Sequence, residues 1–220
     1  MTADRLLRAR LWGIIATSRV FDCLVPAGAS RLGRMLHPSD AITLIAQKLE
    51  TLGLPWMLTG SVAAFFYGRE RSTNDIDIVL DCDLVRIAPF VAAFAPEWFL
   101  DDEMVRDSVH TGLMFNAIPL AGGPKIDFIP LKDDLFERTT FRRRIVQDWH
   151  GTPIQVCTGI DLVLSKLVWA KDSMSQRQLA DIRAIMASGL VEEDDEFTRW
   201  VALLGLEAVL DASRTTRYDE

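Results

Sequence analysis

Apolar and polar residues alternate along Thr73-Asn74-Asp75-Ile76-Asp77-Ile78-Val79-Leu80. A period of two predicts a β-strand. Ile76 and Ile78 then share a buried face, and Asp75 and Asp77 share the opposite one, about 6–7 Å apart at Cα. Lys125-Ile126-Asp127-Phe128-Ile129-Pro130 shows the same alternation, with Lys125 and Asp127 on its polar side. Met114-Phe115-Asn116-Ala117-Ile118-Pro119 is a neighbouring strand, and Ala121-Gly122-Gly123-Pro124 supplies the turn of a hairpin. Trp56-Met57-Leu58-Thr59 is a short apolar strand.

Elsewhere the period is helical. Leu6, Leu7, Leu11, Ile14 and Ile15 mark a basic amphipathic helix over 3–21. A second helix spans 39–52, capped by Ser39 and ended by Gly53. An apolar run over 61–67 is closed by Gly68, and 84–94 is a further helix. Residues 141–149 and 153–157 predict a second strand pair around His150-Gly151. Helices then follow over 162–170 behind Thr158-x-x-Asp161, over 179–187 behind a capping box Ser175-x-x-Gln178, and over 197–210. The order of elements predicts an α/β (α+β) fold, with a mixed twisted sheet, helices packed behind it and a helical C-terminal subdomain. The expected divisions are an N-terminal basic extension (1–37), a core (38–157), the helical subdomain (158–212) and a polar tail (213–220).

Composition narrows the function classes. Hydrophobic residues make up 49% of the 220 residues, enough for a sizeable core, and no apolar run is long enough to span a membrane. Cys23, Cys82 and Cys157 are scattered, as are His37, His110 and His150, which argues against a zinc site and suits a reduced cytoplasm. The net charge is −7, yet residues 1–37 hold six Arg and no Lys against Asp4 and Asp22, so the rest of the chain is more acidic than the total. An acidic body argues against a nucleic-acid coat without excluding a local basic groove.

The carboxylates carry the chemistry. Asp75 and Asp77 side by side repel one another unless a cation neutralises them. A pair of divalent metals, about 3.5–4 Å apart, neutralises such carboxylates and clamps a phosphoryl group in line. Mg²⁺ suits carboxylates that share it with substrate phosphates. The hairpin brings Asp127 to the same place, where a third carboxylate can hold a metal and accept the proton of an attacking hydroxyl. Ser61 at or beside a helix start and the flexible Gly60 favour close approach of a phosphate.

Gly60-Ser61, thirteen residues, Asp75-x-Asp77, then Asp127 after a hairpin resembles the nucleotidyltransferase superfamily, with its polymerase-β-like fold. Within it the chain is most similar to small bacterial AbiEii-type and minimal nucleotidyltransferases. The likeness covers residues 40–187 and rests on 58–68, 71–77, 125–130, Asp161-Leu162-Val163-Leu164-Ser165-Lys166-Leu167, and Ser175-x-Arg177-Gln178-x-x-Asp181-Ile182. The resemblance implies transfer of a nucleoside monophosphate from a nucleoside triphosphate, ATP among them, with Mg²⁺ as cofactor. It implies that Lys166 contacts phosphate and that Asp181 supports it. It also allows a toxin–antitoxin or phage-defence setting with a cognate partner. The acceptor is left open among tRNA or other RNA, protein and small molecules. A non-catalytic nucleotide-sensing module and an aminoglycoside-type enzyme are the alternatives. Where such proteins carry Pro-Glu-Asp before the Leu-rich helix, this chain has Gly159-Ile160-Asp161.

Several residues admit a plainer reading. Lys166 lies among Leu162, Leu164 and Leu167 and could snorkel from a buried helix. Asp181 could be an exposed helical acid. Arg69 and Arg71 suit either phosphate or surface ion pairs, and Lys125 is a further candidate for phosphate. Arg142, Arg143 and Arg144 read as a solvated strand end, and Trp56, Trp149 and Trp169 as core.

Overall fold

The computed structural model describes residues 35–215; the expected helix over 3–21 lies outside them. The elements, in chain order, are α1 (Pro38–Thr51), β1 (Trp56–Thr59), α2 (Gly60–Ala63), β2 (Asp75–Leu80), α3 (Ile87–Phe94), β3 (Trp98–Phe99), α4 (Asp102–Thr111), β4 (Phe115–Pro119), β5 (Lys125–Pro130), α5 (Leu135–Arg142), β6 (Ile145–Trp149), β7 (Thr152–Val156), α6 (Gly159–Ala170), α7 (Gln176–Ala187), α8 (Asp195–Leu204) and α9 (Glu207–Thr215). The strands form one mixed sheet in the order β3-β4-β5-β2-β1-β7-β6.

The alternation in β2 and β5 sets the two faces of the sheet. Ile76, Ile78, Ile126 and Phe128 are buried on one face. There Phe90 and Phe94 of α3 meet Phe128 edge-on, with ring centroids 5.1 and 5.4 Å away, and Trp98 packs on Phe94. Burial of each such ring contributes about 1.5–3 kcal/mol. α1 is tied to α3 on this side, since Lys48 donates to the Ala93 carbonyl at 2.7 Å and pairs with Glu97. The carboxylates point to the other face, where α6 lies.

Local chemistry departs from the expected pattern in several places. The N-cap of α1 is His37, whose ring nitrogen accepts from the Ser39 amide, because Pro38 at the first helical position moves the start back one residue. Arg142 ends α5 rather than opening a strand, and the strand begins only at Ile145. Asp134 caps α5 and Asp101 caps α4, two helices not expected from the sequence. Ser175 precedes α7 without making a side-chain cap, since Gln178 is engaged by Lys166 instead. The expected helix over 197–210 is two, α8 and α9, parted by Gly205 in the left-handed region. Thr158 does cap α6, accepting from the Asp161 amide at 3.2 Å.

Candidate active site

Strand register builds the site. β2 and β5 run parallel with Asp77 beside Asp127 and Asp75 beside Lys125. β4 places Asn116 beside Asp127, and β1 places Thr59 beside Asp77. Adjacent strands lie about 4.8 Å apart, so these partners present their side chains together on one face. Asp75, Asp77 and Asp127 therefore lie on one face of the sheet, on neighbouring strands.

Each carboxylate is held differently. Asp127 is 6% exposed and accepts from Asn116 Nδ2. Lys125 Nζ lies 3.0 Å from Asp127 and 3.7 Å from the half-exposed Asp75, and the hydrogen bond to Asp127 raises the lysine's pKa. Lys125 thus contacts carboxylates here. Asp77 has no cation in direct contact among the described residues. Burial, and then the charge of Asp127, push its carboxyl up to about 6, although the Ser61 amide donates to it.

Gly60 makes that close approach feasible. It has φ +65, and a Cβ there would collide with the Asp77 side chain, lying 2.5 Å from its Cγ. The sequence points to a glycine that admits ligand; in the structure Gly60 already admits Asp77. Ser61 is not the N-cap. Thr59 precedes α2 in that position, with no side-chain cap bond. The Ser61 hydroxyl instead accepts from Arg71 Nη2.

A second cluster stands behind Ser61. Asp181 is fully buried and accepts from Lys166 Nζ at 3.0 Å, Arg69 Nε at 3.0 Å and Arg71 Nε at 3.2 Å. Burial pushes its carboxyl up, but the attraction of Lys166 and the bonds from Lys166 and Arg69 outweigh that, so its pKa lies below the usual range. Asp181 is therefore no exposed helical acid. Lys166 is 5% exposed and also donates to Gln178 Oε1 at 3.2 Å, which rules out simple snorkelling to solvent. Arg143 is likewise no solvated strand end. It pairs with the buried Asp161 and with Glu196, joining the α5 end to α6 and α8.

Between the sheet and α6 lies a pocket of about 220 Å³. Thr59, Gly60, Ser61, Asp77, Val79, Ile129, Leu162, Lys166, Trp169 and Gln178 line it. Glu137 and Lys132 lie on its wall, and burial raises the Glu137 carboxyl. Trp56 and Trp149 are core, but Trp169 is 57% exposed and faces this pocket. The signal was present in the sequence. Leu162, Ser165, Lys166 and Trp169 follow i, i+3, i+4, i+7 spacing, which puts the indole on the same helix face as the lysine.

Among the described residues no three His, Cys, Asp or Glu side chains stand close enough to share one metal ion as they are. The donor chemistry nevertheless fits a hard divalent cation. All three acids offer oxygen ligands, and the Lys125 ammonium already stands between Asp75 and Asp127, where positive charge is required.

No protein-family model matches the chain, and no curated protein sequence matches it. Solved structures do. A nucleotidyltransferase-like antigenic protein from Paracoccidioides brasiliensis is 15% identical with a TM-score of 0.51, covering 81% of this chain and 92% of that one. ANT(2")-Ia, in complex with adenylyl-2"-tobramycin, is 16% identical with a TM-score of 0.49, covering 76% of this chain and 96% of that one. The chain has the nucleotidyltransferase fold. No helix among the described residues is long and apolar enough to cross a membrane.

Proposed function

We propose that the protein transfers a nucleoside monophosphate from a nucleoside triphosphate to an acceptor hydroxyl, with Mg²⁺, releasing pyrophosphate. The observation that carries this is the register of β2 and β5. It sets Asp77 beside Asp127, with Asp75 on the same face, and Asp77 lines a pocket with Gly60, Ser61 and Lys166. Acids gathered on one sheet face, with the buried Lys166 nearby, are costly to a fold and useful for phosphoryl chemistry.

Asp75, Asp77 and Asp127 would hold the metal, which when bound supplies Lewis-acid neutralisation of phosphate charge. Lys166 and the Ser61 hydroxyl face the β- and γ-phosphates. Arg71 reaches them by exchanging its contact with Ser61 for a phosphate oxygen. Asp181 keeps Lys166 and Arg71 aimed at that end. Lys125, displaced from Asp127, is free to meet phosphate. The Asp127 carboxylate accepts the proton of the attacking hydroxyl. The acceptor class, RNA, protein or small molecule, and the AbiEii-type setting with a cognate partner rest on the sequence motifs alone.

Incubation of the protein with each labelled triphosphate and Mg²⁺, offering total RNA, cell protein and aminoglycosides in turn, tests the reading. Asp127→Ala is expected to retain binding of a non-hydrolysable triphosphate and to lose transfer. Wild-type protein that binds no triphosphate and labels no acceptor overturns it.

A further inference from the structure

Resting on the nucleotidyl-transfer reading, we propose that Lys125 is a tethered counter-ion that competes with the divalent metal for Asp75 and Asp127 and passes to the triphosphate when displaced. The site then takes up metal tightly only together with nucleotide. Strand register puts the ammonium in this position. Asp75 and Lys125 are neighbours across β2 and β5, and Lys125 and Asp127 share one face of β5. Lys125 Nζ lies 3.0 Å from Asp127 Oδ1 and 3.7 Å from Asp75 Oδ1.

One ammonium here neutralises two acids. A divalent ion bound by both carboxylates has to take the same oxygens from it. The cost of that exchange follows from how each group is held. Asp127 is buried, and its Oδ1 also accepts from Asn116, so the carboxylate is fixed and poorly hydrated. A charge-assisted contact to such a group is stronger than an ion pair in open water. Lys125 and Asp75 are partly exposed, so the ammonium can swing away on its flexible four-carbon stem without unpacking the core. Lys166, Arg69 and Arg71 are bound to Asp181. Lys125 is therefore the cation paired with the strand acids among the described residues. Once displaced it needs another anion, and the phosphates that accompany the metal offer one.

The test counts bound Mn²⁺, a paramagnetic stand-in for Mg²⁺, by electron paramagnetic resonance on the full chain. Wild type, Lys125→Met, Lys125→Gln and Lys132→Met are compared without nucleotide. Both Lys125 variants are expected to bind Mn²⁺ roughly tenfold tighter than wild type and to gain more in Tm from it. Lys132 lines the pocket with Asp77, and Lys132→Met, which removes the same charge there, should change Mn²⁺ affinity by less than about threefold. Calorimetric titration with α,β-methylene-ATP in saturating Mg²⁺ should show both Lys125 variants weakened roughly tenfold. Lys125 variants that bind Mn²⁺ no tighter than wild type overturn the competition, as does a Lys132→Met variant that tightens it equally. Lys125 variants that bind the nucleotide as wild type does overturn the passage to phosphate. Each of these results leaves the transfer reading standing. Wild type that does not bind the nucleotide in Mg²⁺ overturns the transfer reading itself, and this inference with it.

Discussion

Asp77→Asn separates a residue kept for chemistry from one kept for stability. In the folded protein the Asp77 carboxyl is raised from 3.8 to about 6 by burial and by Asp127. A raised folded value means that the protonated form is favoured by folding. The contribution of the neutral carboxyl is complete below about pH 3.8, and it is lost as pH rises through about 6. Above that, ionised Asp77 costs the metal-free fold about 3 kcal/mol, from roughly two pKa units at 1.36 kcal/mol each. Asparagine keeps the shape and can still accept the Ser61 amide, but never carries the charge. The variant should match wild type near pH 3.5, pull ahead between pH 4 and 6, and melt roughly 6–12 °C higher at pH 7 in the absence of metal. Thermal melts with EDTA across that range measure the difference. Added Mg²⁺ should then stabilise wild type and not the variant, since ligand binding to the native state alone raises stability. A variant that is less stable at pH 7, or whose difference from wild type is flat with pH, refutes the electrostatic account. A variant that still transfers nucleotide refutes the assignment of Asp77 to the metal.

Gly60→Ala would force a Cβ into the Asp77 side chain at a positive φ, costing about 1–3 kcal/mol and displacing the carboxylate. Denaturant unfolding and a transfer assay should both register it. Asp181→Ala strands Lys166, Arg69 and Arg71 around an emptied buried position, and urea titration should show a loss of about 3–5 kcal/mol. A chain beginning at Met35 should fold and bind a non-hydrolysable nucleoside triphosphate, because residues from Met35 onward form a compact unit of their own. Insolubility, or a loss of several kcal/mol in stability, would show that residues 1–34 bury apolar side chains needed by the core.

Much of the site was legible in the sequence because strands advertise their faces. Alternation alone placed Asp75 with Asp77 and Lys125 with Asp127. It could not say that β2 and β5 pair in parallel, nor that Asp77 rather than Asp75 meets Asp127, because register is decided by packing across the whole sheet. Caps were legible only where the residue had no competing partner. Thr158 caps as its spacing predicts, whereas Ser175 and Ser61 do not, since Gln178 answers Lys166 and the Ser61 hydroxyl answers Arg71. Helices α4 and α5 were missed because their stripes are short and polar residues dominate them. Trp169 was taken for core on residue type, although its spacing from Lys166 held the contrary signal.

The charges of the site are arranged in two groups with opposite needs. Asp75 and Asp127 are bridged by one lysine, and Asp77 has no contacting cation among the described residues, so the strand group lacks positive charge. Around Asp181, Lys166, Arg69 and Arg71 gather positive charge beside Ser61. Ser61 joins the two, its amide on Asp77 and its hydroxyl on Arg71. A divalent metal carrying a triphosphate satisfies both at once, giving cation to the strands and anion to the cluster. Either component alone relieves only one side. Binding of metal and of nucleotide should therefore be mutually reinforcing, each raising the affinity of the other by the same factor.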